Sequence, residues 1–248
     1  MSAAGDGFAI APEWPAPQGV RACVTLRTGG VSTGAYASLN LGGHVGDDPA
    51  NVAENRRRVA ARLALPEEPR WLEQVHGTRV LDLDREAVAP ADGAVTGRLG
   101  VVCTVLTADC LPVLLADRQG RRVGVAHAGW RGLAGGVLPA AVEALGVPGA
   151  DVVAWLGPAI GPRAFEVGDE VRAAFAERGF AVERSFVRNA RGRWLADLYA
   201  LAAESLARAG VGAVFGGGYC THSDGDRFFS HRREAPCGRM AALIWKES

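Results

Sequence analysis

Hydrophobic positions are densest between Val101 and Ala128, where three runs rich in β-branched residues, Val101–Thr107, Leu111–Ala116 and Val123–Ala128, are separated by short polar breaks. Runs of this length bounded by turn residues predict strands. Asp117-Arg118-Gln119-Gly120 is the turn between the last two, which therefore form an antiparallel hairpin. A loop of Arg118-Gln119 places Cys110 opposite His127. A loop of Gln119-Gly120 places Cys110 opposite Gly129, with His127 a diagonal neighbour about 7–8 Å away or less. Either register brings a thiol and an imidazole together.

The same reading predicts further strands at Val20–Arg27, Trp71–Val75, Val80–Leu83, Val152–Leu156, Val211–Phe215, Arg227–Arg232 and Arg239–Trp245. A helical period appears at Pro49–Leu65, with Asp47 or Asp48 as N-cap, Pro49 in the first turn and Val52, Val59 and Leu63 on the apolar face. Further helices are predicted at Leu133–Leu145, Asp169–Arg178 and Asp197–Ala209. Residues 1–19, with Pro12, Pro15 and Pro17, form an irregular lead-in framing one short strand. No repeat or linker interrupts the pattern, so residues 1–248 are expected to be a single α+β (mixed α/β) layered domain. Between Thr28 and Asp48 lie about twenty residues rich in Gly, Ser, Thr and Asn, long for a connection within a compact domain. Two readings stay open: a glycine-lined anion nest beside Arg27, or a surface Ω-loop without a ligand.

Composition narrows the function. The chain has Lys+Arg 27 against Asp+Glu 27, so it has no basic field for nucleic acid. Met1–Gly7 lacks a basic segment leading into an apolar core, and no run approaches the ~20 apolar residues of a membrane span. A cytoplasmic protein that does not enter membranes is expected. Five cysteines without a C-x-x-C pair do not read as a disulfide framework. Cys110 and His127 each sit where a strand gives way to a turn, and His76, preceded by Gln74, sits at another strand break. A satisfied core pair, metal ligands, or a nucleophile with its base all fit these residues.

The motifs RTGGVS (27–32), SLNLG (38–42), HVGDD (44–48), ENR (54–56), QVHG (74–77), ADGAVT (91–96), TADCLPVLLAD (107–117), AHAGWRGLAGGVL (126–138), WLGPAIGP (155–162), FEVG (165–168), FFSHRRE (228–234) and CGRMAALIW (237–245) span nearly the whole chain. Together they resemble the laccase-domain or multicopper polyphenol oxidase family. That family is associated with purine nucleoside phosphorylase and adenosine deaminase activity, and some bacterial members are called peptidoglycan editing factors. The family pattern more usually has Tyr at His231, Asp at Glu234 and Thr at Cys237. The resemblance implies a single-domain sandwich of two mixed β-sheets flanked by helices, and a zinc ion held by His76, Cys110 and His127. Two imidazoles and a thiolate form a recognised catalytic zinc set with a fourth position open. A closed structural site would need a fourth ligand, for which His44, Cys103, His222 and Asp109 are available.

A true multicopper oxidase is disfavoured by counting. Five histidines and two methionines, one of them Met1, are too few for a blue-copper centre plus an oxygen-reducing cluster. Copper is expected only adventitiously. The preferred reading, implied by the resemblance, is a zinc-dependent enzyme that converts adenosine, inosine or related nucleosides and phosphate into base and ribose-1-phosphate, with possible adenosine deamination. Besides the metal ligands, Asp92 and Asp109 are candidates for proton transfer or for orienting the histidines. Arg27, Gly29, Gly30, Ser32, Asn40, Gln74 and Arg131 are candidates for substrate binding. A monomer acting on small molecules is expected. The alternatives are a zinc amidase acting on peptidoglycan precursors and a metal-free Cys-His hydrolase.

Overall fold

The computed structural model of the protein describes residues 7–247. The beginning of the predicted lead-in, residues 1–6, lies outside the described residues, as does Ser248. The strands are β1 (Ala9–Ile10), β2 (Val20–Thr25), β3 (Arg70–Trp71), β4 (Val80–Asp82), β5 (Gly93–Thr96), β6 (Cys103–Thr107), β7 (Leu111–Asp117), β8 (Val123–Ala128), β9 (Val152–Leu156), β10 (Glu166–Val167), β11 (Phe186–Arg188), β12 (Trp194–Ala196), β13 (Ala213–Gly216) and β14 (Met240–Lys246). The helices are α1 (Pro49–Arg62), α2 (Trp130–Gly135), α3 (Val137–Ala144), α4 (Asp169–Ala176), α5 (Val182–Ser185), α6 (Leu198–Arg208) and α7 (His231–Glu234).

Two mixed sheets, in the orders β1-β2-β14-β6-β3 and β13-β9-β7-β8-β5-β4, form the sandwich, and a small antiparallel sheet β10-β12-β11 is added beside it. The side-chain period of two explains the layering. Along β7, Leu114 and Ala116 join Val105, Met240, Ala242 and Ile244 in the core shared by the two large sheets. Leu111, Val113 and Leu115 face the other way, into a core with Leu138, Ala141, Leu201 and Leu206 of α3 and α6. The far face of the five-stranded sheet, through Cys23, Leu243 and Trp245, meets Val59 of α1 with Leu39 and Leu41. Both faces of both large sheets are therefore covered, which is why their strands read as continuous apolar runs in the sequence. The architecture is the α+β sandwich expected.

Several expectations need correction. Arg227–Arg232 is not a strand. Phe228 and Phe229 fill the inter-sheet core without pairing, and Ser230 caps the short helix α7 by accepting the Arg233 N–H. The segment expected as a strand at Trp71–Val75 pairs only through Arg70 and Trp71. Beyond them, the Gln74 amide exchanges two hydrogen bonds with the Leu106 main chain, at 2.8 and 2.6 Å, in place of a strand neighbour. The helix expected at Leu133–Leu145 starts earlier, at Trp130, and is broken at Gly136, whose φ of 104° interrupts α-helical geometry.

The polar stretch after β2 is held onto α1 by Asn55, with Arg56 also donating to Leu41 O. Asn55 is fully buried, accepts the Val31 N–H and donates to Ser32 Oγ, Ser38 O and Asn40 O. Gly30 has no room for a side chain, because a Cβ there would lie 2.1 Å from Ser38 O. Asn55→Ala would leave several buried polar groups without partners, each costing about 1–3 kcal/mol. A loss of at least about 3 kcal/mol in urea unfolding is expected. A loss below about 1 kcal/mol would show that the loop holds its shape without this clamp.

Candidate metal centre

His76 lies in the turn between β3 and β4, Cys110 in the turn between β6 and β7, and His127 near the end of β8. The β7–β8 hairpin pairs Leu111 with Ala128 and Pro112 with His127, so Cys110 faces Gly129, the second of the two predicted registers. His76, Cys110 and His127 each offer one donor atom, and these atoms all lie within 4.8 Å of one another. Cys110 Sγ is 3.9 Å from His76 Nε2, and the two imidazoles meet edge to face with centroids 4.8 Å apart. His127 is buried, Cys110 half-buried and His76 exposed, so the cluster opens to solvent on one side. Gly129 permits the close approach: a Cβ there would lie 2.9 Å from His76 Cδ2 and 3.0 Å from Cys110 Sγ.

Asp92, at the foot of β5, sets the geometry from behind. Its Oδ1 accepts from His127 Nδ1 at 2.8 Å and from the His76 N–H at 3.0 Å. Its Oδ2 accepts the N–H groups of Gly77 at 2.6 Å and Val75 at 3.2 Å. Burial pushes this carboxyl up, but the His127 and backbone hydrogen bonds outweigh burial and hold its pKa below the usual value. The Asp92 contact leaves His127 Nε2 as the nitrogen available to the cluster. Two residues here have positive φ without being glycine, His76 at 59° and Asp109 at 87°, in the left-handed region that costs backbone energy.

Burial pushes the Cys110 thiol up, yet His127 and His76 draw it down to about 6. Burial pushes His127 down, yet Cys110 and Asp92 raise it to about 9. Without a cation the pair is a thiolate beside an imidazolium, and a metal ion held by both would displace the His127 proton. The order Cys110, His127, Asp92 is also that of a nucleophile, base and orienting carboxylate. His76, aimed at the same sulfur, has no place in that arrangement. Among the described residues the cluster has three members, and none of His44, Cys103, His222 or Asp109 joins it as a fourth. Cys103 lies fully buried in β6, where burial pushes its thiol up.

Asp109 is engaged elsewhere. Its Oδ1 accepts from Thr221 Oγ1 at 2.6 Å and its Oδ2 from the Arg232 N–H at 2.7 Å, joining the β6–β7 turn to the start of α7. Beside it a cavity of about 140 Å³ opens on Cys110, walled by Trp130, Ile160, Phe165 and Leu198, with His231 and Arg232 also lining it. Only the sulfur and the carboxylate of this lining were expected from sequence. Ile160, Phe165 and Leu198 carry the signature of core residues and become visible only once the fold joins three distant segments.

The other candidates divide. Ser32 and Asn40 both hydrogen-bond to Asp47 Oδ2, and the Asn40 side chain also bridges Gly42 and the Arg239 N–H. Gly29, at φ 98°, packs against the Phe8 ring, and Gly30 packs against Ser38. Arg27 forms an ion pair with Glu234 at 3.0 Å and donates to Ala37 O and Gly225 O. These contacts are internal to the fold, as is the Gln74 bond to Leu106. Arg131 differs: it is exposed, stacks over the Trp130 ring at 4.4 Å, and has no carboxylate partner among the described residues.

The model of the family described as multi-copper polyphenol oxidoreductase laccase matches residues 21–247. A Pseudomonas aeruginosa protein named purine nucleoside phosphorylase is 56% identical over 237 residues, covering 95% of this chain and 97% of its own. The Escherichia coli protein named purine nucleoside phosphorylase YfiH is 51% identical, covering 95% of this chain and 98% of its own. A crystal structure of Neisseria meningitidis protein NMB0706 superposes with a TM-score of 0.93 at 48% identity, covering 97% of this chain and 100% of that one. YlmD of Geobacillus stearothermophilus superposes with a TM-score of 0.89 at 34% identity, covering 97% of each chain. The chain belongs to the multi-copper polyphenol oxidoreductase laccase family, whose model matches almost its full length.

Proposed function

We propose that the protein is a metal-dependent purine nucleoside phosphorylase. The observation that carries this reading is the open three-donor cluster of His76, Cys110 and His127, whose Cys110 also lines a cavity walled by Trp130, Ile160, Phe165 and Leu198. Relatives at 56% and 51% identity bear the name purine nucleoside phosphorylase, which supports it. The donor chemistry fits zinc: a thiolate, two imidazoles, a carboxylate behind one imidazole, and one side open to solvent. Zinc bound there would supply positive charge and a Lewis acid beside the substrate, which would serve adenosine deamination as well as phosphorolysis.

The chain's own residues supply the rest. In phosphorolysis a phosphate oxygen forms a bond to the ribose C1′ as the bond from C1′ to the base breaks, giving free base and ribose-1-phosphate. Arg131, exposed and held over Trp130, itself part of the cavity lining, offers a guanidinium for phosphate. Arg27 keeps the glycine-rich loop in shape through Glu234 and Ala37 and contributes to phosphate binding only through that loop. Asp92 fixes the His127 tautomer and holds the 75–77 turn so that His76 faces the thiol.

Inosine should release hypoxanthine only when phosphate is present, and Arg131→Ala should raise the KM for phosphate by roughly ten- to a hundredfold without changing metal content. Base release at an equal rate in phosphate-free buffer, or amide cleavage of a peptidoglycan precursor without base release, would overturn the reading. Asp92→Asn turns an acceptor-only group into one that also donates, towards N–H groups that need acceptors. Zinc affinity measured by chelator competition should fall by about ten- to a hundredfold. An unchanged affinity would show that Asp92 does not position the ligands.

A further inference from the structure

The cavity beside Cys110 is a more specific feature than the reading above requires. The larger cavities elsewhere, about 650 Å³ along Gly161–Ala164 and Gly218–Ser223 and about 530 Å³ along α1, do not touch the donor cluster. We propose that the 140 Å³ cavity is the slot for the purine base and that His231 recognises the base through its N7 atom. This inference rests on the phosphorylase reading and names the part of the substrate that each wall receives.

Three observations support it. The first is position: Cys110 belongs both to the donor cluster and to the cavity lining, so a base seated here lies beside the cluster. The second is size. An apolar cavity of about 150 Å³ holds a benzene molecule, so this one takes the six-membered ring of a purine and leaves the imidazole ring, with N7 and the ribose, at its open side. The third is chemistry. Trp130 and Phe165 offer aromatic surface, Ile160 and Leu198 are aliphatic, and such walls accept the faces of a heterocycle while few polar groups fix its orientation.

Of the polar lining groups, Asp109 is held by Thr221 and the Arg232 N–H, and the Arg232 side chain donates to Glu166 O with its guanidinium 5.5 Å from the Phe165 ring centre. Those two are fixed parts of the wall. His231 is exposed at the rim, and its ring makes no hydrogen bond to the protein among the described residues. A neutral imidazole carries one N–H donor. N7 is an acceptor on adenine and guanine alike, whereas their 6-substituents differ in sign. Donation to N7 therefore selects purines as a class without separating 6-amino from 6-oxo bases.

The test compares the binding of hypoxanthine and of 7-deazahypoxanthine, which lacks the N7 acceptor, by calorimetry on the full-length metal-loaded protein. Inosine phosphorolysis is assayed on the same samples. Wild type should bind hypoxanthine about tenfold more tightly than the 7-deaza base. His231→Ala should weaken hypoxanthine about tenfold, leave the 7-deaza base unchanged and so erase the difference. His231→Trp, which fills the slot from its exposed rim, should abolish binding of both. Equal affinity of wild type for the two bases, or an equal loss for both in His231→Ala, would overturn the assignment even if inosine is cleaved. The expected binding pattern without any phosphorolysis would leave the slot standing and overturn the phosphorylase reading instead.

Discussion

The buried carboxylate of Asp92 is the constraint on which the site depends. Taking an ionised carboxylate out of water costs several kcal/mol. Four hydrogen bonds to one group, from His127 Nδ1 and the N–H groups of Val75, His76 and Gly77, offset that cost. Charge-assisted bonds of this kind contribute about 1.5–3 kcal/mol each. Two donors of the cluster that are far apart in sequence are fixed by one anion: His127 through its ring, and His76 through the backbone of the turn that carries it. The third, Cys110, is positioned by strand register and by Asp109, whose carboxylate ties the β6–β7 turn to α7. The positive φ of His76 and of Asp109, which precedes Cys110, is the local backbone cost of bringing His76 and Cys110 to one place, and the surrounding hydrogen bonds hold it.

The division between structure and chemistry in the glycine-rich loop follows from counting partners. Composition left an anion nest and a ligand-free Ω-loop both open, and in the structure Asn55 and Asp47 occupy polar groups of Val31, Ser32 and Asn40. These bonds tie that part of the loop to α1 and to Asp47, as a scaffold around an open site requires. Arg27 belongs to the same network, through Glu234 of α7. One face of α7 thus anchors the loop while its first residues line the cavity beside Cys110.

The strands that carry the site were legible in the sequence because both large sheets are covered on both faces. Leu111–Asp117 and Val123–Ala128 therefore appear as unbroken apolar runs ending at Cys110 and after His127. The register was narrowed to two choices by the turn and resolved by the structure to the one that sets Cys110 against Gly129. The helix starting at Pro49 was legible from its cap, and Asp48 does accept the Ala50 N–H. What escaped was structure made by tertiary context. Phe228 and Phe229 look like a strand because burial selects the same residues whether or not the backbone pairs. The strands of the small sheet are two or three residues long, too short for a period. The cavity lining escaped because Ile160, Phe165 and Leu198 look like ordinary core, and nothing local indicates that they border an opening rather than a neighbour.

The metal-dependent reading requires His76, Cys110 and His127 together to hold one metal ion. The most direct measurement is the zinc content of purified protein by inductively coupled plasma mass spectrometry, wild type against Cys110→Ser, after equal dialysis against a weak chelator. About one zinc per chain in the wild type and less than roughly a tenth of that in the variant are predicted, because a neutral hydroxyl replaces the thiolate that binds most strongly. Full zinc occupancy in Cys110→Ser, or a wild type that holds none under conditions in which it turns over nucleoside, would contradict the claim.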